Sequence, residues 1–219
     1  MKGLKSLAIG ALGIGILFGY VGFLYTGTAD ADAEPATAPE DVRPPLVGTE
    51  LPNLPLTTVE GEAVNLKDEL QEQPAVLVFY RGGWCMYCNM QLGQLATIEG
   101  DLQDLGYRII AVSPDKPEEL HASAEEHDLG YTLYSDSSLA AASALGLVFR
   151  VDEETLDLYG EYGIDLAEAS GGANEDLLPV PGVFVIDADA TIQFHYVNPD
   201  YTARIAPELL LTAARITVE

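Results

Sequence analysis

The sequence predicts an α/β fold, a central mixed β-sheet flanked by helices and preceded by one N-terminal membrane-spanning or signal helix. Three observations carry that reading. Ala75–Tyr80 is an unbroken apolar run, the mark of a strand covered on both faces. Strand-like and helix-like segments alternate through the middle of the chain, then give way to a hairpin and a terminal helix. Near the start, no charged residue occurs from Ser6 to Ala29.

That first segment follows Lys2 and Lys5, and Leu7–Tyr25 is almost wholly apolar. About twenty helical residues, each rising 1.5 Å, cross a hydrocarbon layer of about 30 Å. The run exceeds the apolar region of about 7–15 residues in a cleaved signal peptide. An uncleaved single-span anchor is therefore expected, with cleavage at Ala29-Asp30-Ala31 or Ala31-Asp32-Ala33 as the alternative. In either case the flanking lysines stay inside and the rest of the chain is translocated, to an extracytoplasmic or periplasmic location. The expected partition is an anchor at 1–26, a flexible Ala/Pro/acidic linker at 27–45 and a folded domain at 46–219. About 170 residues suffice for one domain with a full core.

Within the domain, Glu60-Gly61-Glu62 marks a turn between strand-like Leu54–Val59 and Ala63–Leu66. After the buried strand, Met86–Leu105 has helical spacing, with Met90, Leu92, Leu95, Ile98, Leu102 and Leu105 on one stripe. Tyr107–Val112 reads as the next buried strand and Pro117–Asp128 as a helix with proline in its first turn. Tyr131–Tyr134 is a short strand and Ser137–Leu145 an alanine-rich helix. Asp152–Leu178 is acidic and glycine-containing, which predicts a surface excursion. Val183–Ile186 and Thr191–Tyr196 alternate as a hairpin, and Pro207–Ile216 closes the chain as a helix.

Thirty-five acidic residues against 10 basic give a formal net charge of -25. Such a field repels nucleic acid and anionic headgroups, so nucleic-acid binding is excluded as an expectation. Metal and cofactor sites are not expected either. Zinc needs four ligands, and His121, His127 and His195 are not spaced to join the cysteines. Haem attachment needs histidine after the second cysteine, where Asn89 stands. Asp165, Glu168, Glu175 and Asp176 lack the rhythm of a calcium loop and read as solvated. No glycine-rich phosphate loop occurs, so any flavin or nicotinamide would belong to a partner.

The chemistry lies in Phe79-Tyr80-Arg81-Gly82-Gly83-Trp84-Cys85-Met86-Tyr87-Cys88, which holds both cysteines of the chain. Placed at the first turn of a helix, Cys85 meets unpaired backbone amides and the positive dipole end, which favour the thiolate. Cys88, one turn on, can displace a mixed disulfide and release the product. A two-residue loop closes little chain entropy, so a purely structural Cys85–Cys88 disulfide would stabilise poorly. Trp84 and Tyr87 would shape an apolar rim.

Trp84-Cys85-x-x-Cys88 after a buried strand, with Val180-Pro181-Gly182 opening a later one, resembles the thioredoxin fold. The wider pattern is similar to peroxiredoxin-like proteins of the alkyl hydroperoxide reductase/thiol-specific antioxidant group. It is carried by residues 79–89, Leu178-Pro179-Val180-Pro181, Phe184-Val185-Ile186-Asp187 and Val197–Tyr201. The resemblance implies a cis proline at Pro181 facing the disulfide, with the backbone of Val180 free to pair with a substrate. It also implies two assignments of the nucleophile. In the thioredoxin pattern Cys85 attacks, making this a thiol–disulfide oxidoreductase working on protein dithiols, disulfides or a thiol reductant. In the peroxiredoxin motif Cys88 is peroxidatic and Cys85 stands where a Thr or Ser hydroxyl belongs. Peroxide is then the substrate. The arginine that the pattern places before the later strand is replaced by Pro181. Arg81 either supplies that charge from another direction or is a strand-end surface residue. The thiol–disulfide reading leads. A tethered binding module with a vestigial disulfide is the third, and loss of the aromatic rim or of Pro181 would have favoured it.

Overall fold

The computed structural model describes residues 34–70, 73–121 and 130–217. The expected membrane or signal helix at 1–26 lies outside the described residues. Among those described, no helix is long and apolar enough to cross a membrane.

Seven strands form one mixed sheet in the order β2-β1-β5-β4-β3-β8-β9. They are β1 (Pro55–Thr58), β2 (Ala63–Asn65), β3 (Ala75–Phe79), β4 (Arg108–Ser113), β5 (Thr132–Ser135), β8 (Gly182–Ile186) and β9 (Ile192–Val197). β3 runs parallel to β4 and antiparallel to β8, and β4 runs parallel to β5. Central position explains the unbroken apolar run: every residue of β3 is buried. Alternation then divides the core into two layers. Leu77, Phe79, Ile110, Val112, Phe184 and Ile186 face helices α1 (Leu66–Leu70) and α4 (Ala140–Ala144). Val76, Val78, Ile109, Ala111, Val183 and Val185 face α2 (Met86–Ala96), α3 (Glu99–Asp104) and α7 (Pro207–Thr217).

Three expectations need correction. The stripe from Met86 to Leu105 is two helices, α2 and α3, broken at Thr97–Ile98. The Thr97 hydroxyl donates to the Gln94 carbonyl at 2.7 Å, competing with the helical ladder. Met90 falls off the buried stripe and is 55% exposed.

The acidic stretch 152–178 is not a bare excursion. It folds as α5 (Glu153–Glu161) and α6 (Leu166–Ala169), and it ends in β7 (Leu177–Pro179) paired antiparallel with β6 (Val148–Arg150). Its acids serve as caps: Asp152 accepts from the Thr155 amide and Asp165 from the Glu168 amide. Val151, Leu166 and Leu178 make a third small core, against which Trp84 and Tyr159 pack.

The segment expected to be a flexible linker is, from residue 34 on, laid along the domain. Ala36 bridges Phe149 in parallel, donating to the Val148 carbonyl at 3.0 Å and accepting from the Arg150 amide at 2.8 Å. Arg43 donates to the Gly146 carbonyl, and Gly146 has a positive φ of 60° that leaves room for the Arg43 backbone. The backbone groups of this polar segment find partners along an edge that composition does not reveal.

Candidate active site

β3 delivers Arg81 and the Gly82-Gly83 turn to the C-terminal end of the sheet, where Cys85 caps α2 in an extended conformation. The turn needs glycine: Gly82 has φ 144°, and a Cβ there would meet Asp115 Oδ1 at 2.8 Å and overlap the Trp84 indole. Asp115, just past β4, accepts from the Gly83 amide at 2.7 Å and the Ser113 hydroxyl at 3.0 Å. Asn89 donates to the Gly83 carbonyl at 2.7 Å. These bonds fix the loop ahead of the cysteines from both sides. Burial pushes the Asp115 carboxyl up to about 6, against the opposing pull of the Gly83 and Ser113 bonds. The Tyr80 phenol, also buried, is pushed upward by burial first and by the Asp115 charge second.

The two thiols are unequal. Both are reduced; Cys85 is 4% exposed and Cys88 is fully buried. A hydrogen bond from Cys88 draws the Cys85 thiol down to about 6, with the Arg81 charge adding to the effect and burial opposing it. Burial, then the bond to Cys85 and its charge, push the Cys88 thiol well above its usual value.

Two arginines frame the pair. Arg81 is not at the surface: it is 4% exposed, and its guanidinium carbon lies 4.2 Å from the Tyr201 ring centre, 5.0 Å from Trp84 and 5.5 Å from Tyr159. It also donates to the Tyr159 hydroxyl. Each ring contact of this kind is worth about 0.5–2 kcal/mol. Arg204, in the loop after β9, places Nη2 3.3 Å from Cys88 Sγ and Nη1 2.9 Å from Gln91 Oε1.

The remaining rim residues divide. Tyr87 stacks edge-on against Tyr201, with ring centres 5.8 Å apart, and Trp84 tilts against Tyr159 at 5.5 Å. Met86 beside them is 66% exposed. Val180 and Pro181 do not form a free peptide-pairing edge. The Val180–Pro181 bond is trans, and the Val180 amide donates to the Leu147 carbonyl at 2.9 Å. The short β6–β7 ladder continues up to Val180 and takes up the group that the resemblance left open. Instead Val180 and Pro181 line a cavity of about 160 Å3 together with Arg81, Tyr159 and Tyr201. Of the histidines, His195 lies against Phe184 and His127 falls outside the described residues.

Residues 47–195 match the AhpC/TSA family. The chain belongs to that family. This AhpC/TSA-family protein is 31% identical over 106 residues to peroxiredoxin Bcp of Escherichia coli K12, covering 48% of this chain and 67% of that one. It is 26% identical over 132 residues to the thiol-disulfide oxidoreductase ResA of Halalkalibacterium halodurans, covering 60% and 72% respectively. Among solved structures, reduced Prx3 of Vibrio vulnificus in complex with hydrogen peroxide superposes with a TM-score of 0.63 at 16% identity. That match covers 78% of this chain and 99% of that one. The fold is the thioredoxin fold, and the AhpC/TSA-family protein is a thiol-dependent oxidoreductase.

Pro181 stands where the family pattern has an arginine, and the guanidinium that contacts the Cys88 sulfur is that of Arg204. Sequence reasoning missed Arg204 and Asp115. Both stand in loops that carry no local pattern, and Arg204 is 116 positions from the sulfur it touches.

Proposed function

We propose that this protein is a thiol–disulfide oxidoreductase in which Cys85 attacks and Cys88 resolves. The observation that carries the reading is positional. Cys85 stands at the N-cap of α2 next to the exposed Met86 and Tyr87, with its thiol drawn down by the Cys88 bond. Cys88 is fully buried one turn on, and its thiol is pushed up. Cys85 is the sulfur that ionises more readily, and thiolate is the attacking form. Its sulfur displaces one sulfur of a partner disulfide, which leaves as a thiolate and takes up a proton. Cys88 then loses its proton and attacks the Cys85 sulfur of the mixed disulfide. The second partner thiol is released, and two electrons have passed to the partner as the Cys85–Cys88 disulfide forms. Arg204 stabilises the Cys88 thiolate that makes this second attack. Trp84, Tyr87 and the exposed Met86 form the face a polypeptide or thiol reductant approaches, beside Arg81, Val180 and Pro181.

A second reading is favoured by one contact, that of Arg204 with the Cys88 sulfur, and by the peroxiredoxins among the relatives. Here Cys88 thiolate attacks a peroxide oxygen, the O–O bond breaks, and the leaving oxygen departs as water or alcohol. Cys85 then displaces water from the Cys88 sulfenic acid, forming the same disulfide. The guanidinium would stabilise the charge that develops as the O–O bond breaks.

The domain from residue 46 is proposed to sit outside the cytoplasm on the anchor at 1–26. The basic start and the uncharged apolar run support that placement. The mass of the protein isolated from host membranes tests it: an intact Met1 fits an anchor, and a start near 31–34 fits cleavage.

The chemistry is tested by insulin reduction and by hydrogen peroxide consumption, both with dithiothreitol as electron source. Wild type, Cys85→Ser and Cys88→Ser are compared. Insulin turnover lost in Cys85→Ser, without peroxide turnover, supports the proposal. Rapid peroxide consumption that survives Cys85→Ser and dies with Cys88→Ser overturns it in favour of the peroxidase.

A further inference from the structure

The cavity lined by Arg81, Val180 and Pro181 borders a cation whose set of partners is incomplete. Arg81 borders it, 4% exposed, and forms no ion pair with a carboxylate among the described residues. Its Nη2 is spent on the Tyr159 hydroxyl, and its Nε, fully buried, has no hydrogen-bond partner. A Cys85 thiolate compensates this charge in part, and that compensation disappears when the thiol is protonated or oxidised. A nearly buried cation that borders a cavity and has no carboxylate partner among the described residues is an incomplete ion pair.

The space defines what would complete it. About 160 Å3 equals the share of roughly five water molecules, so the occupant is small. Phe149, Val151 and Pro181 supply apolar walls, which suit a hydrocarbon tail better than a fully hydrated inorganic anion. The lining also carries Asp152, whose two oxygens are held by the Thr155 amide and hydroxyl, both at 2.8 Å. An anionic group in the lining opposes a second negative charge on the ligand.

We propose that this cavity is a binding site for a short-chain aliphatic monocarboxylate, its carboxylate on the Arg81 guanidinium and its chain against Phe149 and Val151. With Nη2 engaged and Nε buried, Nη1 is the donor left to meet that carboxylate, and the surrounding aromatic rings already hold the guanidinium in place.

Calorimetric titration of the full chain with sodium butyrate, n-butanol, succinate and sodium phosphate tests the site. Wild type, Arg81→Met and the Cys85→Ser/Cys88→Ser protein are compared. Butyrate is expected to saturate one site per chain, with affinity at least about tenfold weaker in Arg81→Met and undiminished in the double serine protein. Butanol lacks the charge, phosphate lacks the tail, and succinate brings a second carboxylate to Asp152; each should bind at least about tenfold more weakly. Thr155→Phe fills the cavity from its lining while leaving the guanidinium, and should also abolish binding. No saturable butyrate binding to wild type overturns the proposal. So does binding unchanged by both Arg81→Met and Thr155→Phe, or phosphate binding as tight as butyrate. Because binding is also read without either thiol, a missing carboxylate site and a missing redox activity register separately.

Discussion

Cys85 and Cys88 are three residues apart and differ in one decisive respect, which is where each sulfur finds its stabilisation. Cys85 draws on a thiol donor and two guanidiniums, whereas Cys88 is fully buried and gives up its hydrogen bond to its neighbour. Alkylation of Cys85 by iodoacetamide should therefore reach half its maximal rate near pH 6, the value to which its thiol is drawn. Arg81→Met removes a cation and should move that midpoint upward, by about one unit. Stopped-flow alkylation across pH 4–9 followed by peptide mass mapping checks both statements. Arg204→Met removes the one charge in contact with Cys88 Sγ. Under the thiol–disulfide reading, the Cys85 mixed disulfide should then persist about tenfold longer, the equivalent of one pKa unit. Trapping that intermediate with a chromogenic disulfide measures it. The cysteine pair was legible in the sequence because its spacing is itself the mechanism. Arg204 was not, because an arginine in a polar loop has no periodicity and earns its role only when β9 brings it back over α2.

Among the elements, the strand-to-helix turn carries the tightest constraint. Gly82→Ala places a Cβ into Trp84 and Asp115 at a φ that side chains rarely adopt, and should cost about 2–4 kcal/mol of stability. Because Asp115 anchors the Gly83 amide, the same substitution should slow Cys85 alkylation as well; urea unfolding and alkylation kinetics on one sample read both. Buried strands such as β3 and β4 were legible because a strand covered on both faces is apolar throughout. The hairpin of β6 and β7 was not. Its residues are short and mixed, and they border an acidic stretch whose carboxylates cap helices, a role composition does not distinguish from solvation. Tyr159 and its bond to Arg81 were hidden with it, so the sequence left the environment of Arg81 open between a surface residue and a charge donor.

Across the whole molecule, two buried carboxyls set how stability responds to pH. Burial raises Asp115 to about 6 and Asp136 to about 7, each from an ordinary value of 3.8. Asp136 receives the Ala141 and Ala142 amides at 3.1 and 2.8 Å, with no cation beside it among the described residues. Between 3.8 and those values the native state binds more protons than the unfolded chain. The stabilisation from these groups is thus complete below about pH 4 and is lost as pH rises through 6 and 7. Urea unfolding of wild type and Asp136→Asn across pH 4–8 should show the wild-type contribution falling by a few kcal/mol, with the variant flatter between pH 4 and 7. The layered α/β arrangement was legible at this scale from the order of segments alone, whereas the burial of individual acids in so acidic a chain was not.

The Ala36 bridge gives the molecule a mechanical property. Tension on the chain ahead of residue 34 is borne first by the two hydrogen bonds that Ala36 makes to either side of Phe149. Only after they break does load reach Pro39, which is itself part of the wall around Arg81. The strap is thus a strain relief, isolating the thiol pair from tension applied ahead of residue 34.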